Sequence, residues 1–323
     1  MRRLTATVSA LVLTLVLILL GTGCASPAVP TPTKEVTVGS KNFTEQRIIG
    51  QMMKQLLESR GFKVNLVEEL STTALRQGME AGEIDICADY TGTAWMVHLG
   101  HAYEPGVDNN QLYELVKEEE EDKGFVWLNP IWNNNTYALA SWVKFAEEHD
   151  VETLSDLAAL YQEEAGKVRT FVDFEFSARP DGLPTLQEFY SFRVDGVSLM
   201  TGTPGASLAA LENRQCEVAM VFGTDAIIAK HGWHVYLDDQ AFFPPYDLAP
   251  YVRAEVLDKY PEIANILNEL VATFPGGGAP ATPEIVAEGQ TVWQALNAKV
   301  DINGVEPDEV AHEYLVKNGL VKE

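Results

Sequence analysis

Short apolar strands alternate with amphipathic helices along most of this chain, and that alternation restricts it to the α/β class. Residues 36–39 read as a strand. Phe43, Ile48, Ile49, Met52, Met53, Leu56 and Leu57 then recur at helical spacing, and Gly61 ends the helix. Residues 63–66 form the next predicted strand and 71–81 the next helix; 84–88 is a strand that runs up to Tyr90. Further on, 125–140 reads as a crossing segment leading into the first strand of a second lobe, 168–172 as another strand, and the chain then runs through 233–237. Three late helices start at or near prolines, over 261–274, 283–298 and 307–318. The stretch Phe242-Phe243-Pro244-Pro245-Tyr246 cannot be a central strand and reads as a stiff turn.

Two strand-to-helix turns carry polar chemistry, and such turns are where α/β proteins bind small ligands. One is Gly39-Ser40-Lys41-Asn42-Phe43-Thr44-Glu45-Gln46, and the other is Asp89-Tyr90-Thr91-Gly92-Thr93. A ring supplies a π face for a cation. A lysine and a threonine hydroxyl supply charge and hydrogen bonds for an anion. The ligand these turns fit carries both charges.

A weak internal repeat points to two similar halves. Residues 74–94 lie over 206–226 without a gap, matching Glu80 to Glu212, Ile86 to Val218, Tyr90 to Phe222 and Ala94 to Ala226. Each copy reads as a helix, a strand, an aromatic and a small polar helix start. If two lobes closed on a ligand, the two aromatics would face one another.

The N-terminal segment reads as a processing signal over residues 1–23. Arg2 and Arg3 precede an apolar run too short for an ordinary membrane span, and Gly21-Thr22-Gly23 precedes Cys24. Small residues before a cysteine resemble the bacterial lipoprotein cleavage motif, although Gly21 stands where leucine is usual. The resemblance implies lipidation of Cys24. Pro27, Pro30 and Pro32 make 24–34 a stiff tether. The expected product is an extracytoplasmic domain, lipid-anchored to the bacterial cell membrane.

The net charge of −24 argues against nucleic acid or an anionic lipid surface as a partner. The Glu118-Glu119-Glu120-Glu121 run reads as a solvated helix face. Cys87 and Cys216 fall in or beside buried strands and are expected to be free thiols. His98 and His101, like His231 and His234, have zinc-type spacing but no evident third ligand nearby, so no metal is expected. No nucleophile elbow, Walker loop or dinucleotide fingerprint is present, and neither an enzyme nor a cofactor is expected.

Six motifs in order carry a family resemblance over residue 35 to the end. They are Gly39 to Gln46, Asp89 to Thr93, Asn134-Asn135-Thr136-Tyr137-Ala138, Glu175 to Gly182 with Arg179-Pro180-Asp181, Phe222-Gly223-Thr224-Asp225 and Phe243 to Tyr246. The chain resembles the substrate-binding proteins of ABC importers for osmoprotectants: glycine betaine, proline betaine, carnitine and choline. The resemblance implies an α/β, two-lobed periplasmic-binding-protein-like (type II) fold with two hinge strands. Lobe I would comprise 35–130 and 239–323, and lobe II 131–238. It implies an aromatic cage around a quaternary ammonium, with Tyr90, Tyr137 and Tyr246 as cage tyrosines. Phe222 stands where many relatives have tyrosine. Lys41, Thr93 and Arg179 would form the carboxylate pole, although Arg179 could instead pair with Asp173 or Asp181. Trp95 and Trp132 read as core or hinge packing. The implied partner is an ABC permease subunit in the membrane, the chain being otherwise a monomer; a ligand-sensing module without transport is the alternative. A zwitterionic ligand is expected, with choline the weaker binder.

Overall fold

A computed structural model describes residues 34–323, which form two five-stranded sheets. The predicted signal, Cys24 and nearly all of the tether lie outside the described residues. In the first sheet, β1 (Lys34–Lys41) leads through α1 (Thr44–Ser59) to β2 (Phe62–Leu70). From there α2 (Thr72–Ala81) leads to β3 (Ile86–Tyr90). β1 pairs in parallel with both β2 and β3, the pairing that helical crossover connections allow. The buried face of α1 is the predicted one, with Ile48, Ile49, Met52, Met53, Leu56 and Leu57 out of solvent. β4 (Phe125–Trp127) belongs to the same sheet, and so does β10 (Leu248–Arg253), which returns from the far end of the chain and pairs antiparallel to β3 and β4. The order is β2-β1-β3-β10-β4.

The second sheet repeats that plan. It comprises β5 (Tyr137–Trp142), β6 (Thr170–Asp173), β7 (Leu199–Gly202), β8 (Val218–Phe222) and β9 (Trp233–Val235), in the order β7-β6-β8-β5-β9. α3 (Pro204–Glu212) precedes β8 as α2 precedes β3. β3 and β8 occupy the central position of their sheets, each flanked by one parallel and one antiparallel neighbour. The weak repeat is therefore a repeat of topology. Tyr90 and Phe222 are the last residues of these two buried strands.

The chain passes between the sheets twice, over 128–136 and 236–247. An isolated bridge, Ile131 to Leu248, and a backbone hydrogen bond from Asn135 N–H to Tyr246 O (2.8 Å) join the two passes. Side chains add further bonds. Tyr246 N–H donates to Asn134 Oδ1 (2.9 Å) and Leu248 N–H to Asn133 Oδ1 (3.1 Å). Asp247 Oδ1 accepts the N–H groups of Asn133 and Asn134, and its Oδ2 accepts from Asn109 (2.6 Å). Asn134 has φ +34°, a left-handed value that asparagine tolerates better than most side chains.

The remaining helices include α4 (Glu262–Val271), α5 (Pro283–Asp301) and α6 (Pro307–Lys317), close to the predicted spans. Thr282 Oγ1 caps α5 by accepting from Ile285 N–H, and Pro283 takes the first helical position. α5 lies hard against the first crossing. A Cβ on Gly289 would sit 1.9 Å from the Trp132 carbonyl oxygen, so only glycine fits there. Trp132 is buried at this contact and donates from Nε1 to Ala279 O, a packing role. Among the described residues no helix is long and apolar enough to cross a membrane.

One expectation is corrected. Glu120 is not on a solvated face: it is fully buried and accepts from Arg76 Nη1, whose guanidinium lies over the Phe125 ring. It follows Leu112 and Val116 at four-residue steps, which places it on the inward stripe of its helix.

Candidate functional site

Each residue predicted for the cage is placed by a local device. Tyr90 ends β3, and the chain turns at once into a helical turn, Thr91–Thr93, that widens into a π-turn over Ala94–His98. Thr91 ties this turn to the second crossing: its N–H donates to Asp247 O and its hydroxyl to Pro245 O. Gly92 lets the Tyr246 ring approach, because a Cβ there would lie 2.8 Å from two of its ring carbons. Tyr137 starts β5, directly opposite Phe222 of β8 in antiparallel register. Both rings therefore leave the sheet at the same edge.

The rings converge. Tyr137 lies with ring centroids 5.3 Å from Phe222, 5.6 Å from Tyr246 (edge-on) and 4.9 Å from Phe176. Phe43, on the turn before α1, stacks between Tyr90 (6.1 Å) and Phe222 (5.0 Å). All seven residues predicted to meet the ligand line one cavity: Lys41, Tyr90, Thr93, Tyr137, Arg179, Phe222 and Tyr246. Sequence reasoning missed Phe43, Thr72, Asn135, Asp173 and Glu175, which line it too. Phe43 had a signal, since it follows Lys41 by two residues on the same turn. The volume open to a water-sized sphere is about 30 Å³, room for roughly two waters. Admitting a trimethylammonium group requires the rings to spread.

The polar pole is already wired. Lys41 Nζ pairs with the buried Asp89 at 2.5 Å, and His98 meets the other Asp89 oxygen at 3.0 Å. Burial opposes the charge on Asp89, but Lys41 and His98 outweigh it and hold the carboxyl well below the usual range. Arg179 pairs with Asp181 through Nε (2.8 Å) and Nη2 (2.6 Å), the second of the alternatives open from the sequence. Tyr246 donates its hydroxyl to the same aspartate (2.7 Å). Burial opposes the charge on Asp181 as well; the Arg179 charge and these hydrogen bonds bring the carboxyl below its ordinary value. Arg179 Nη2 also donates to Thr93 Oγ1 (3.1 Å), and Glu175 accepts the Thr72 N–H (2.7 Å). Those two contacts join residues beside the first sheet to residues beside the second.

The two cations also sit on cage rings, Arg179 at 5.2 Å from the Tyr137 centroid and Lys41 at 5.5 Å from Tyr90. Ring faces that attract the chain's own cations attract a foreign one by the same quadrupole. Around them stand Asp89, Asp173, Glu175 and Asp181, so the site holds more acid than base. Burial pushes the Asp173 carboxyl up to about 6. Behind the cage, Glu45 is buried and accepts from Tyr90 Oη (2.8 Å), Asn133 (2.9 Å), Asn135 (3.3 Å) and Thr224 Oγ1 (2.7 Å).

Residues 34–317 match the family described as OpuAC, the substrate binding domain of ABC-type glycine betaine transport system. The chain belongs to this family. A relative named glycine-betaine-binding protein, from Pseudomonas aeruginosa, is 34% identical over 289 residues, covering 88% of each chain. The glycine betaine-binding protein YehZ of Escherichia coli is 32% identical, covering 89% of this chain and 92% of its own length. The solved structure titled glycine betaine/carnitine/choline ABC transporter superposes with a TM-score of 0.65 at 27% identity, covering 88% of this chain and 99% of that one. The OpuAC-family chain is thus a substrate-binding protein of the ABC transport type, with the two-lobed α/β fold expected of it.

Proposed function

We propose that this OpuAC-family protein captures a quaternary ammonium osmolyte between its lobes and delivers it to a membrane permease. Candidates are glycine betaine, proline betaine, carnitine and choline. Tyr90, Tyr137, Phe222 and Tyr246, joined by Phe43, form the cage. Thr93 and Arg179 face the ligand's carboxylate, with Lys41 behind Tyr90. Lobe I comprises 35–130 and 239–323, lobe II 131–238, and lipidated Cys24 tethers the pair outside the cell membrane. The chain works as a monomer apart from its permease and needs no metal or cofactor.

The observation that carries this reading is the convergence of five rings from five separate stretches of chain on one acid-rimmed cavity. A trimethylammonium head has no N–H, so ring faces are what can select it, at roughly 0.5–2 kcal/mol each. The carboxylate pole is weaker than its residue types suggest, because Asp89 and Asp181 already engage Lys41 and Arg179. A ligand carboxylate gains the Thr93 and Thr72 hydroxyls and whatever Arg179 can share. Choline should therefore trail glycine betaine by less than two unpaired cations would impose.

Calorimetry with glycine betaine, proline betaine, carnitine and choline tests the proposal. Saturable binding of at least one supports capture; no heat from any of the four rejects it. Uptake by a cell carrying the chain and its permease, lost on deletion of the permease, separates transport from sensing.

A further inference from the structure

Glu45 is a buried carboxylate whose hydrogen-bond partners are all neutral. Its four donors come from β3 (Tyr90), the first crossing (Asn133 and Asn135) and the turn after β8 (Thr224). The residue is 1% exposed. Most other acids at the cage are matched: Asp89 by Lys41, and Asp181 and Glu175 by Arg179. Two of the Glu45 donors, Tyr90 and Asn135, themselves line the cage.

We propose that Glu45 is the fixed counter-charge of the cage, the group that biases it toward a cation. The inference rests on the reading of the cavity as a quaternary ammonium site. Two effects carry it. A buried anion is poorly screened, so its field reaches across the Tyr90 ring into the cavity. The phenol that donates to a carboxylate also becomes more electron-rich, and its face becomes a better partner for a cation. Replacing Glu45 by glutamine keeps the shape and removes both.

The proposal makes affinity depend on pH. Burial pushes Glu45 up to about 7 against the hydrogen bonds from Thr224, Tyr90, Asn133 and Asn135. A bound cation favours the ionised form, so protonation of Glu45 as pH falls through about 7 weakens binding. The ionised share falls from about nine-tenths one pH unit above that value to about a tenth one unit below it; if the protonated form binds about tenfold less tightly, affinity falls about fivefold between pH 8 and pH 6.

Other groups face the same space and titrate or carry charge. Across Tyr90 lie Lys41, Asp89 and His98. Asp225, after β8, is pushed up to about 7, by burial first and then by the charges of Asp301 and Glu45. Asp301 of α5, Arg47 of α1 and Glu69 of β2 line the chamber on the far side of Glu45. Asp173, at the cage itself, is pushed up to about 6. The test therefore compares variants.

Full-length protein in detergent is titrated calorimetrically with choline chloride, a permanent cation without a carboxylate, and with glycine betaine, at pH 6, 7 and 8. Wild type should bind choline about fivefold more tightly at pH 8 than at pH 6. E45Q should be about tenfold weaker than wild type at pH 8, within about twofold of it at pH 6, and flat between. D225N, which removes a carboxyl titrating in the same range outside the cage lining, should keep the wild-type slope. A slope retained in E45Q, lost in D225N, or missing from wild type overturns the proposal. If E45Q does not fold, proton release decides: choline binding to wild type at pH 7, compared in two buffers of different ionisation enthalpy, should release up to about half a proton. No release overturns the proposal. Wild type that binds neither ligand at any pH brings down the functional reading and this inference together; pH-independent binding brings down this inference alone.

Discussion

Tyr137 offers the sharpest test of the cage, because it alone of the three cage tyrosines makes no hydrogen bond through its hydroxyl among the described residues. Tyr90 donates to Glu45 and Tyr246 to Asp181, so changing either one disturbs a buried carboxylate as well as a ring. At position 137 the ring and the hydroxyl can be separated. The side chain is 6% exposed and packs on Phe176, Phe222 and Tyr246, so truncation to alanine would cost about 3–5 kcal/mol of stability. Leucine keeps much of the volume and removes the π face. A desolvated cation–π contact near the upper end of its range is about 1–2 kcal/mol, and each 1.4 kcal/mol is tenfold in affinity. Tyr137→Leu should therefore weaken glycine betaine and choline alike by roughly 5- to 30-fold, while Tyr137→Phe stays within about threefold of wild type. Calorimetry reads both, with a thermal melt to confirm that each variant is folded. A folded leucine variant that binds both ligands like wild type refutes the cage.

Thr93→Asp places a carboxylate beside Arg179 Nη2, where Thr93 Oγ1 now accepts at 3.1 Å. Glycine betaine affinity should fall at least about tenfold, and choline affinity should hold or rise; equal losses for both ligands in calorimetry would refute the carboxylate pole. Gly289→Ala should lower the melting temperature by several degrees, since its Cβ would meet a backbone carbonyl and overpacking costs about 1–3 kcal/mol; an unchanged melt would show that the helix can move away from the crossing. Cys87 and Cys216 are both free and buried, and burial, with a small addition from Glu217, pushes the Cys216 thiol up to about 12. In protein starting at residue 34, a thiol reagent should react slowly with the native form and count two after denaturation without reductant; a count of zero refutes free thiols.

The strand–helix alternation was legible because each buried strand is short and ends at a turn residue. The tyrosines predicted for the cage were legible because each stands in a motif: Tyr90 ends β3, Tyr137 starts β5 and Tyr246 closes the Phe-Pro-Pro-Tyr turn of the second crossing. Phe43 was hidden by its own regularity: it stands in step with Ile48 and Met52, so a ring that faces the cavity reads as helix core. Glu120 was hidden by its neighbours, since a run of four glutamates masks the four-residue step from Val116. Nor could local spacing reveal the hub at Glu45, whose partners lie 45, 88, 90 and 179 residues away. Its existence depends on three chain segments meeting, which is a property of topology. Asp181 was visible as a partner for Arg179, but only the folded geometry chooses it over Asp173.

The close contact between Gly289 and Trp132 gives helix α5 the mechanics of a lever. Its fulcrum is where the helix backbone touches the crossing. Near that point Gln290 Nε2 donates to Asn134 O. Further along, Gln294 holds Gly223 O and Asn297 holds Thr224 O, both beyond β8 in the second sheet. At the tip, Asp301 accepts from Thr44 at the start of α1, beside the first sheet. Asn297 lies about 12 Å from the fulcrum at 1.5 Å per residue, so rotation of one sheet against the other displaces its bond far more than that of Gln290. The order in which these amide bonds part is thus written into their distance from one glycine. Shortening Asn297 or Gln294 would loosen the hold of α5 on the turn after β8 without touching a single residue of the predicted cage.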